Sequence, residues 1–164
     1  MRAGAAQVFA ANVGQARFRS ACEARLLELF DDPSKKVRAL AAECFDHLEG
    51  DQLGQVTTLV QRFQGSAAFV VNHEHLIRAL ETTTTRLPDV TISVCERLIE
   101  IAGRAAGDIR TGRAGHADRL SDLVIRAYHQ AADPAIRKRC LDTIDNLLRV
   151  GAMGLQRVLG KFDR

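Results

Sequence analysis

The sequence predicts an all-α fold of about eight helices, and two observations support this prediction. Nearly every apolar stretch has a period of about 3.6 residues, and no stretch alternates apolar and polar residues as a strand does. Alanine and leucine supply most of the apolar share while aromatic residues make up only 5%, which also favours helices. We interpret residues 1–164 as a single helical-repeat domain and as a fragment of a larger protein.

The first two helices are predicted near the start of the chain. Residues 1–15 are rich in alanine and lack the long apolar core of a signal peptide, so we interpret them as helix. The next helix is marked by apolar residues at helical spacing, namely Phe18, Cys22, Leu26 and Leu29.

A third helix follows an Asp-Pro pair and ends at Gly50. Pro33 fits the first helical position, where its missing N–H costs nothing, and Asp32 can cap a free N–H. One face is apolar from the first turn to the last, through Val37, Leu40, Ala41, Cys44, Phe45 and Leu48.

The same pattern recurs after Asp133 and Pro134 and closes at Gly151. When Arg137 is matched with Arg38, four further pairs of apolar positions coincide: Ile136 with Val37, Cys140 with Ala41, Ile144 with Phe45, and Leu147 with Leu48. A weaker copy runs from Pro88 to Gly103, and its wide apolar arc predicts a helix sandwiched between neighbours.

Four more segments have apolar residues at helical spacing: Leu53–Phe63, Val70–Leu80, Leu120–Tyr128 and Leu155–Phe162. The second of these is expected to end near Thr82, because consecutive β-branched threonines lower helix propensity. The glycines between Gly103 and Asp118 predict a long surface loop or a frayed helix end.

The repeated pattern resembles HEAT repeats, a family of α-solenoids built from stacked antiparallel helical hairpins. The matching residues are Asp32, Pro33, Val37, Arg38, Ala41 and Leu48, and again Asp133, Pro134, Ile136, Arg137 and Leu147. The resemblance implies that the aspartate and arginine positions are structural and pair between neighbouring repeats. The proline lies five residues before the arginine in one copy and three before it in the other, which departs from a uniform repeat.

Residues 106–148 also resemble the C-terminal helical region of large bacterial ATPases, including STAND-type anti-phage sensors. In such proteins the nucleotide site lies in a separate domain. This resemblance implies a recognition or scaffolding part, and the present chain has no phosphate-binding Gly-x-x-x-x-Gly-Lys motif of its own.

The residues most often used in catalysis and metal binding have structural interpretations here. The four cysteines lie on apolar stripes and form no Cys-x-x-Cys pair, so we expect buried thiols in a reducing cytoplasm. This includes Cys44, although His47 lies one turn away. His73 and His75 diverge by about 200° on a helix and are not expected to share a metal ion. We predict no catalytic residue, no metal and no cofactor.

Basic residues provide the only candidate site in the sequence. The chain carries 23 Lys+Arg against 20 Asp+Glu, and the excess lies in the last third. The candidates for partner binding are Arg104, Arg110, Arg113, Arg119, Arg137, Lys138 and Arg139. No aromatic residues interleave with them, which disfavours stacking on nucleic-acid bases. Lys138 and Asp142, one turn apart, are expected to form a solvated charge pair.

The sequence therefore predicts a non-catalytic module that binds or scaffolds a protein partner, located in the cytoplasm, without a membrane span or a small-molecule substrate. Two alternatives remain open. One is the sensor region of a bacterial anti-phage defence ATPase, and the other is a helical repeat that binds nucleic acid through its basic surface.

Overall fold

A computed structural model describes residues 1–104 and 114–149, with side chains omitted at 102–104 and 114–117. Within these ranges the chain forms helices and no strand, which confirms the all-α prediction. The α-helices are α1 (Arg2–Asn12), α2 (Arg19–Leu29), α3 (Lys35–Ala42), α4 (Thr57–Gln64), α5 (Phe69–Thr82), α6 (Pro88–Arg104), α7 (Ala114–Gln130) and α8 (Pro134–Arg149). Two 3₁₀ helices, Glu43–His47 and Gln52–Val56, lie between α3 and α4.

The chain divides into two compact units, Met1–Thr85 and Arg86–Arg164. Helices α1 to α5 belong to the first unit and α6 to α8 belong to the second. The single domain spanning residues 1–164 stays a prediction.

Four phenylalanines form the centre of the first unit. Phe63 lies 4.9 Å from Phe30, 4.8 Å from Phe45 and 5.4 Å from Phe69, measured between ring centroids. All four side chains are fully buried, and they come from four different parts of the chain. Such offset and edge-on ring contacts stabilise a core beyond the area that they bury. Phe30, which the sequence pattern missed, therefore contributes to the centre of this unit.

The helix predicted from Pro33 to Leu48 is shorter than expected. Ser34 has an extended backbone and precedes the first residue of α3, so Pro33 lies outside the helix. After Ala42 the chain tightens into the 3₁₀ helix Glu43–His47. Cys44 and Phe45 in this 3₁₀ helix are both fully buried, as predicted from the apolar face. Gly50 follows with a φ of 55°, a backbone conformation that favours glycine.

Two other apolar stripes are shifted from the predicted register. Phe18 was expected on the buried stripe of α2, but it precedes that helix and its side chain is exposed. In α5 the backbone is non-helical at Asn72, with φ −116° and ψ 18°. Phe69 is buried in place of the predicted Val70, which is exposed, and the predicted His73 is buried. The helix ends at Thr82, as predicted.

In the second unit α6 packs against both α7 and α8, which confirms the predicted sandwiched helix. Pro88 and Pro134 are the first residues of α6 and α8, as predicted. The segment from Gly103 to Asp118 was predicted as a long surface loop or a frayed helix end, and it is helical at both ends, because α6 continues to Arg104 and α7 begins at Ala114. Residues 105–113 lie outside the described residues. The helix predicted at Leu155–Phe162 lies outside the described residues.

No helix in the described part of the chain is both long enough and apolar enough to cross a membrane.

Candidate functional site

The described candidates for partner binding lie on α7 and α8. Arg119 is half-buried in α7, and Arg137, Lys138 and Arg139 lie in the first two turns of α8. Arg104 is the last residue of α6, and its side chain is not described. The remaining two, Arg110 and Arg113, lie outside the described residues.

Arg139 joins α8 to α6 through two carboxylates. Its Nε donates to Glu96 Oε1 at 3.0 Å and its Nη2 donates to Glu96 Oε2 at 2.7 Å, a two-pronged contact that suits the planar guanidinium. Its Nη1 also donates to Asp89 Oδ1 at 2.5 Å. These hydrogen bonds, with that of Glu96 the strongest, raise the pKa of Arg139 although partial burial opposes the shift. The charge of Arg139 is therefore engaged within the second unit.

Arg137 is engaged by residues that precede its own helix. Its Nε donates to the carbonyl oxygen of Ala131 at 2.8 Å, and its guanidinium carbon lies 6.0 Å from the ring centroid of Tyr128. Both partners belong to the end of α7 or to the short connection after it. Arg137 thus fastens the beginning of α8 to the preceding helix.

Lys138 differs from the two arginines because its partner is an exposed carboxylate of its own helix. Its Nζ lies 2.6 Å from Asp142 Oδ2, and both side chains are largely exposed, which confirms the predicted charge pair. An exposed pair one helical turn apart contributes only about 0.3–0.5 kcal/mol to folding. Lys138 can exchange Asp142 for another anion at little cost.

The turn before α8 repeats a turn found before α3. Asp133 Oδ1 accepts from the N–H of Ala135 at 2.8 Å, and Asp32 Oδ1 accepts from the N–H of Ser34 at the same distance. Arg137 donates to a carbonyl six residues earlier, and Arg38 likewise donates to the carbonyl of Asp32, at 2.6 Å.

Both arginines are the fourth residue of their helix, which supports the pairing made from the sequence. The unequal proline-to-arginine distances follow from the helix starts, since α8 begins at Pro134 whereas α3 begins two residues after Pro33. Asp32 is also buried, and its Oδ2 lies 3.4 Å from Nη1 of Arg2 in α1. In both units the arginine bonds to the turn before its own helix.

Apolar side chains are exposed on the outer side of α8. Leu141 and Leu148 have 47% and 40% of their surface exposed, whereas Cys140, Ile144 and Leu147 of the same helix are buried. Residues seven apart on a helix lie within about 20° of the same direction. Leu141 and Leu148 therefore form a short exposed stripe, which we call the leucine stripe.

The thiols lie in the cores, as the sequence indicated. All four cysteines are buried, and burial raises the pKa of each thiol. For Cys95 burial, together with the nearby Cys140 and Glu96, raises the pKa to about 12. Cys44 is fully buried while His47 is exposed, and burial followed by the charge of Asp46 raises the pKa of the Cys44 thiol well above its usual value. A thiol held neutral in this way is a poor nucleophile.

One polar cluster was not found from the sequence. His75 Nδ1 lies 2.6 Å from Asp46 Oδ2, and Arg78 Nη1 lies 3.5 Å from Asp46 Oδ1. The cluster joins α5 to the 3₁₀ helix Glu43–His47, which contains Asp46. Asp46 and His75 are 29 positions apart in the sequence, and no local pattern predicts such a pairing. His73 points elsewhere, with its Nδ1 3.1 Å from the carbonyl oxygen of Phe69.

Metal ligands are not gathered in the described ranges, where no group of three or more His, Cys, Asp or Glu side chains is placed to hold an ion. Comparisons with protein-family models, with curated proteins and with solved structures found no match to this chain.

Proposed function

We propose that the chain is a non-catalytic, HEAT-like helical-repeat module that binds a protein partner. The observation that carries this proposal is the pair of equivalent turns before α3 and α8. Each has an aspartate that accepts from a backbone N–H two residues later, and an arginine, fourth in its helix, that donates to a carbonyl six residues earlier. Stacked helical repeats bind partners through the extended surface that they present, and the recurrence of this turn supports the assignment of two repeated units.

The engagement of two arginines supports a protein partner over nucleic acid. Affinity for nucleic acid depends on the number of basic side chains that can neutralise phosphates. Arg139 is bound to Glu96 and Asp89, and Arg137 is bound to a carbonyl and lies near an aromatic ring. The basic surface available to a phosphate chain is therefore smaller than the charge count suggests. Nothing in the described residues favours the sensor alternative, so we propose only the interaction module.

The proposal is tested by capture of a partner. The full chain is immobilised, incubated with extract of its native cells, and the bound proteins are identified after stringent washing. If the chain is an interaction module, we expect one protein to be retained. Its binding should be saturable and should persist after nuclease treatment. The charge reversals Arg110→Glu and Arg113→Glu then test the predicted basic contact, and at least about a tenfold loss of affinity is expected where two charge pairs are replaced by repulsion.

A matched control comes from α3, where Lys35→Glu and Lys36→Glu change the same charge at exposed positions. This control is expected to bind like the unmodified chain. Equal loss in both variants would indicate a general charge effect. Retention only of nucleic acid, with an affinity that falls steeply with salt, would contradict the proposal and favour the nucleic-acid alternative.

A further inference from the structure

The leucine stripe belongs to a wider exposed surface of α8 in which apolar and charged residues follow a regular order. This surface, which we call the α8 outer face, consists of Pro134, Lys138, Leu141, Asp145 and Leu148, and all five are exposed. Residues at this spacing lie within about 80° of one another around a helix. The order along the face is therefore apolar, positive, apolar, negative, apolar.

The two charges of the α8 outer face are available to another molecule. Lys138 is 76% exposed, and its pair with Asp142 is an exposed one that costs little to exchange. Asp145 forms no ion pair with the residues that the structure describes. Both charges can therefore pair with a second molecule without the loss of a strong contact within the chain.

The position that Leu141 occupies is covered in the first unit. When Arg137 is matched with Arg38, Leu141 corresponds to Ala42, which is fully buried. Helix α3 packs against α1, α2 and α5, whereas α8 packs mainly against α6 and α7. A helix surface that is covered in the first unit is thus open in the second.

We propose that the α8 outer face associates with the same face of a second copy of the chain. The two α8 helices lie antiparallel, with a twofold axis beside Leu141, so that each Leu141 contacts its own equivalent. Lys138 and Asp145 lie about 5 Å from this axis along the helix, on opposite sides. Each Lys138 therefore meets the Asp145 of the other copy, and two symmetric ion pairs form.

The ends of the face match in the same register. Leu148 lies about 10 Å from the axis on one side, and Pro134 and Ala135 lie about 10–11 Å from it on the other. Leu148 therefore contacts these two residues of the other copy. Asp142 points about 100° away from Leu141 and stays at the rim of the contact.

The charges favour the antiparallel arrangement over a parallel one. In a parallel pair each Lys138 would face the other Lys138, and each Asp145 would face the other Asp145. Like charges placed face to face disfavour such an association. The α8 outer face is thus complementary to itself in the antiparallel register.

The small size of the face implies a weak dimer. From Pro134 to Leu148 the helix spans about 21 Å, and one contact of this length buries less than the roughly 1,200 Å² of stable interfaces. We therefore expect a reversible dimer with a Kd of about 10–100 µM that weakens as salt screens the ion pairs. This inference does not depend on the proposed function, because it concerns contact between identical chains.

Sedimentation equilibrium of the full chain at low salt, between about 1 and 500 µM, tests the association. We expect a monomer–dimer equilibrium. Leu141→Asp places two carboxylates beside the axis and is expected to weaken the dimer at least about a hundredfold. The matched control Asn146→Asp adds the same charge about 140° away on α8 and is expected to leave the Kd unchanged. Circular dichroism verifies that each variant retains its helical content.

Charge reversals test the register. Lys138→Glu and Asp145→Lys each replace two attractive pairs by two repulsive ones, and each is expected to weaken its own dimer about tenfold. In an equal mixture the two variants are expected to bind each other as tightly as the unmodified chain binds itself. One contact then joins the new glutamate to the new lysine, and the other joins the original lysine to the original aspartate.

Three results would overturn the inference. They are a chain that stays monomeric throughout the concentration range, a dimer that Leu141→Asp leaves intact, and a mixture of the two charge variants that associates no better than either variant alone. A monomeric chain that still captures a different protein would overturn this inference and leave the proposed function standing.

Discussion

At the scale of single residues, neighbours in the sequence have different roles. Lys138 and Arg139 both carry a positive charge, but Lys138 pairs with an exposed carboxylate on its own helix, whereas Arg139 binds two carboxylates of α6. The apolar periodicity of α8 places Lys138 on the outward face and Arg139 nearer the core. It cannot name Glu96 as a partner, because the pairing depends on how α6 and α8 cross.

Replacing Arg139 is therefore expected to be more costly than replacing Lys138. Arg139→Ala leaves Glu96 and Asp89 without their shared cation, and we expect a loss of about 1–2 kcal/mol in the free energy of unfolding. Lys138→Ala removes an exposed pair and is expected to cost at most about 0.5 kcal/mol. Urea denaturation at low salt measures both values. Equal losses of unfolding free energy in the two variants would contradict a stabilising contact of Arg139 with Glu96 and Asp89.

Stability is expected to fall at alkaline pH because of the buried thiols. In the unfolded chain the thiol of Cys95 has its usual pKa of 9.0, and in the folded chain burial raises the pKa to about 12. Below pH 9 the Cys95 thiol is protonated in both the folded and the unfolded state, so it does not lower the free energy of unfolding. Between pH 9 and 12 only the unfolded state ionises, so the free energy of unfolding falls by up to about 1.4 kcal/mol per pH unit.

Denaturation with urea at several pH values between 8 and 11 measures this slope, and Cys95→Ala separates the thiol from other groups that titrate in the same range. The variant is expected to lose stability less steeply with pH than the unmodified chain. Cys22→Ala serves as a comparison, because burial raises the pKa of that thiol less. An unchanged slope in Cys95→Ala would show that other groups cause the alkaline loss.

At the scale of elements, the two aspartate turns define where helices begin. Asp133 caps α8 through the N–H of Ala135, as predicted from its place before a proline. Asp32 makes the corresponding bond to Ser34, which itself precedes the first residue of α3. The Asp-Pro pair therefore predicts a helix start in both cases but locates it to within about two residues.

We predict that loss of the two aspartates has unequal effects. Asp133→Ala removes one capping hydrogen bond and is expected to cost about 1 kcal/mol. Asp32→Ala should cost more, up to about 2 kcal/mol, because this buried carboxylate also lies 3.4 Å from Arg2. Thermal denaturation of each variant gives the order. Asp133→Asn keeps an acceptor at the cap and is expected to lose little, and a larger loss for Asp133→Ala than for Asp32→Ala would contradict this account.

Periodicity predicted the kind of element better than its register. The stripe of α8 was assigned correctly at Cys140, Ile144 and Leu147, because that helix is regular from start to end. In α5 the predicted stripe began at Val70, but Phe69 is the buried residue, four positions before the buried His73. Contacts between distant segments, such as His75 with Asp46, depend on packing and have no local signal.

At the scale of the whole molecule, each unit has its own core. The first unit is centred on Phe63 and the three aromatic rings around it. The basic residues on the last third of the chain were predicted as the candidate site, and their role in partner binding stays a prediction. The exposed leucines Leu141 and Leu148 were not identified from the sequence.

We expect residues 1–85 to fold when expressed alone, because this unit contains a complete aromatic centre and more than the length that small domains need. The fragment should have a helical circular dichroism spectrum and a cooperative thermal transition. Phe63→Ala is expected to reduce its stability by about 3–5 kcal/mol, since it removes a ring that contacts three others. The matched variant Phe18→Ala, at an exposed ring, should differ little from the parent. A fragment without a cooperative transition would contradict the independence of this core.

Because all four thiols are buried, their reactivity can report whether the protein is folded. A membrane-permeable alkylating reagent would find four sulfur atoms in a nascent or heat-damaged chain and almost none in a mature one. The share of chains that gain the mass of the reagent inside a living cell would therefore measure the unfolded fraction, without any engineered tag.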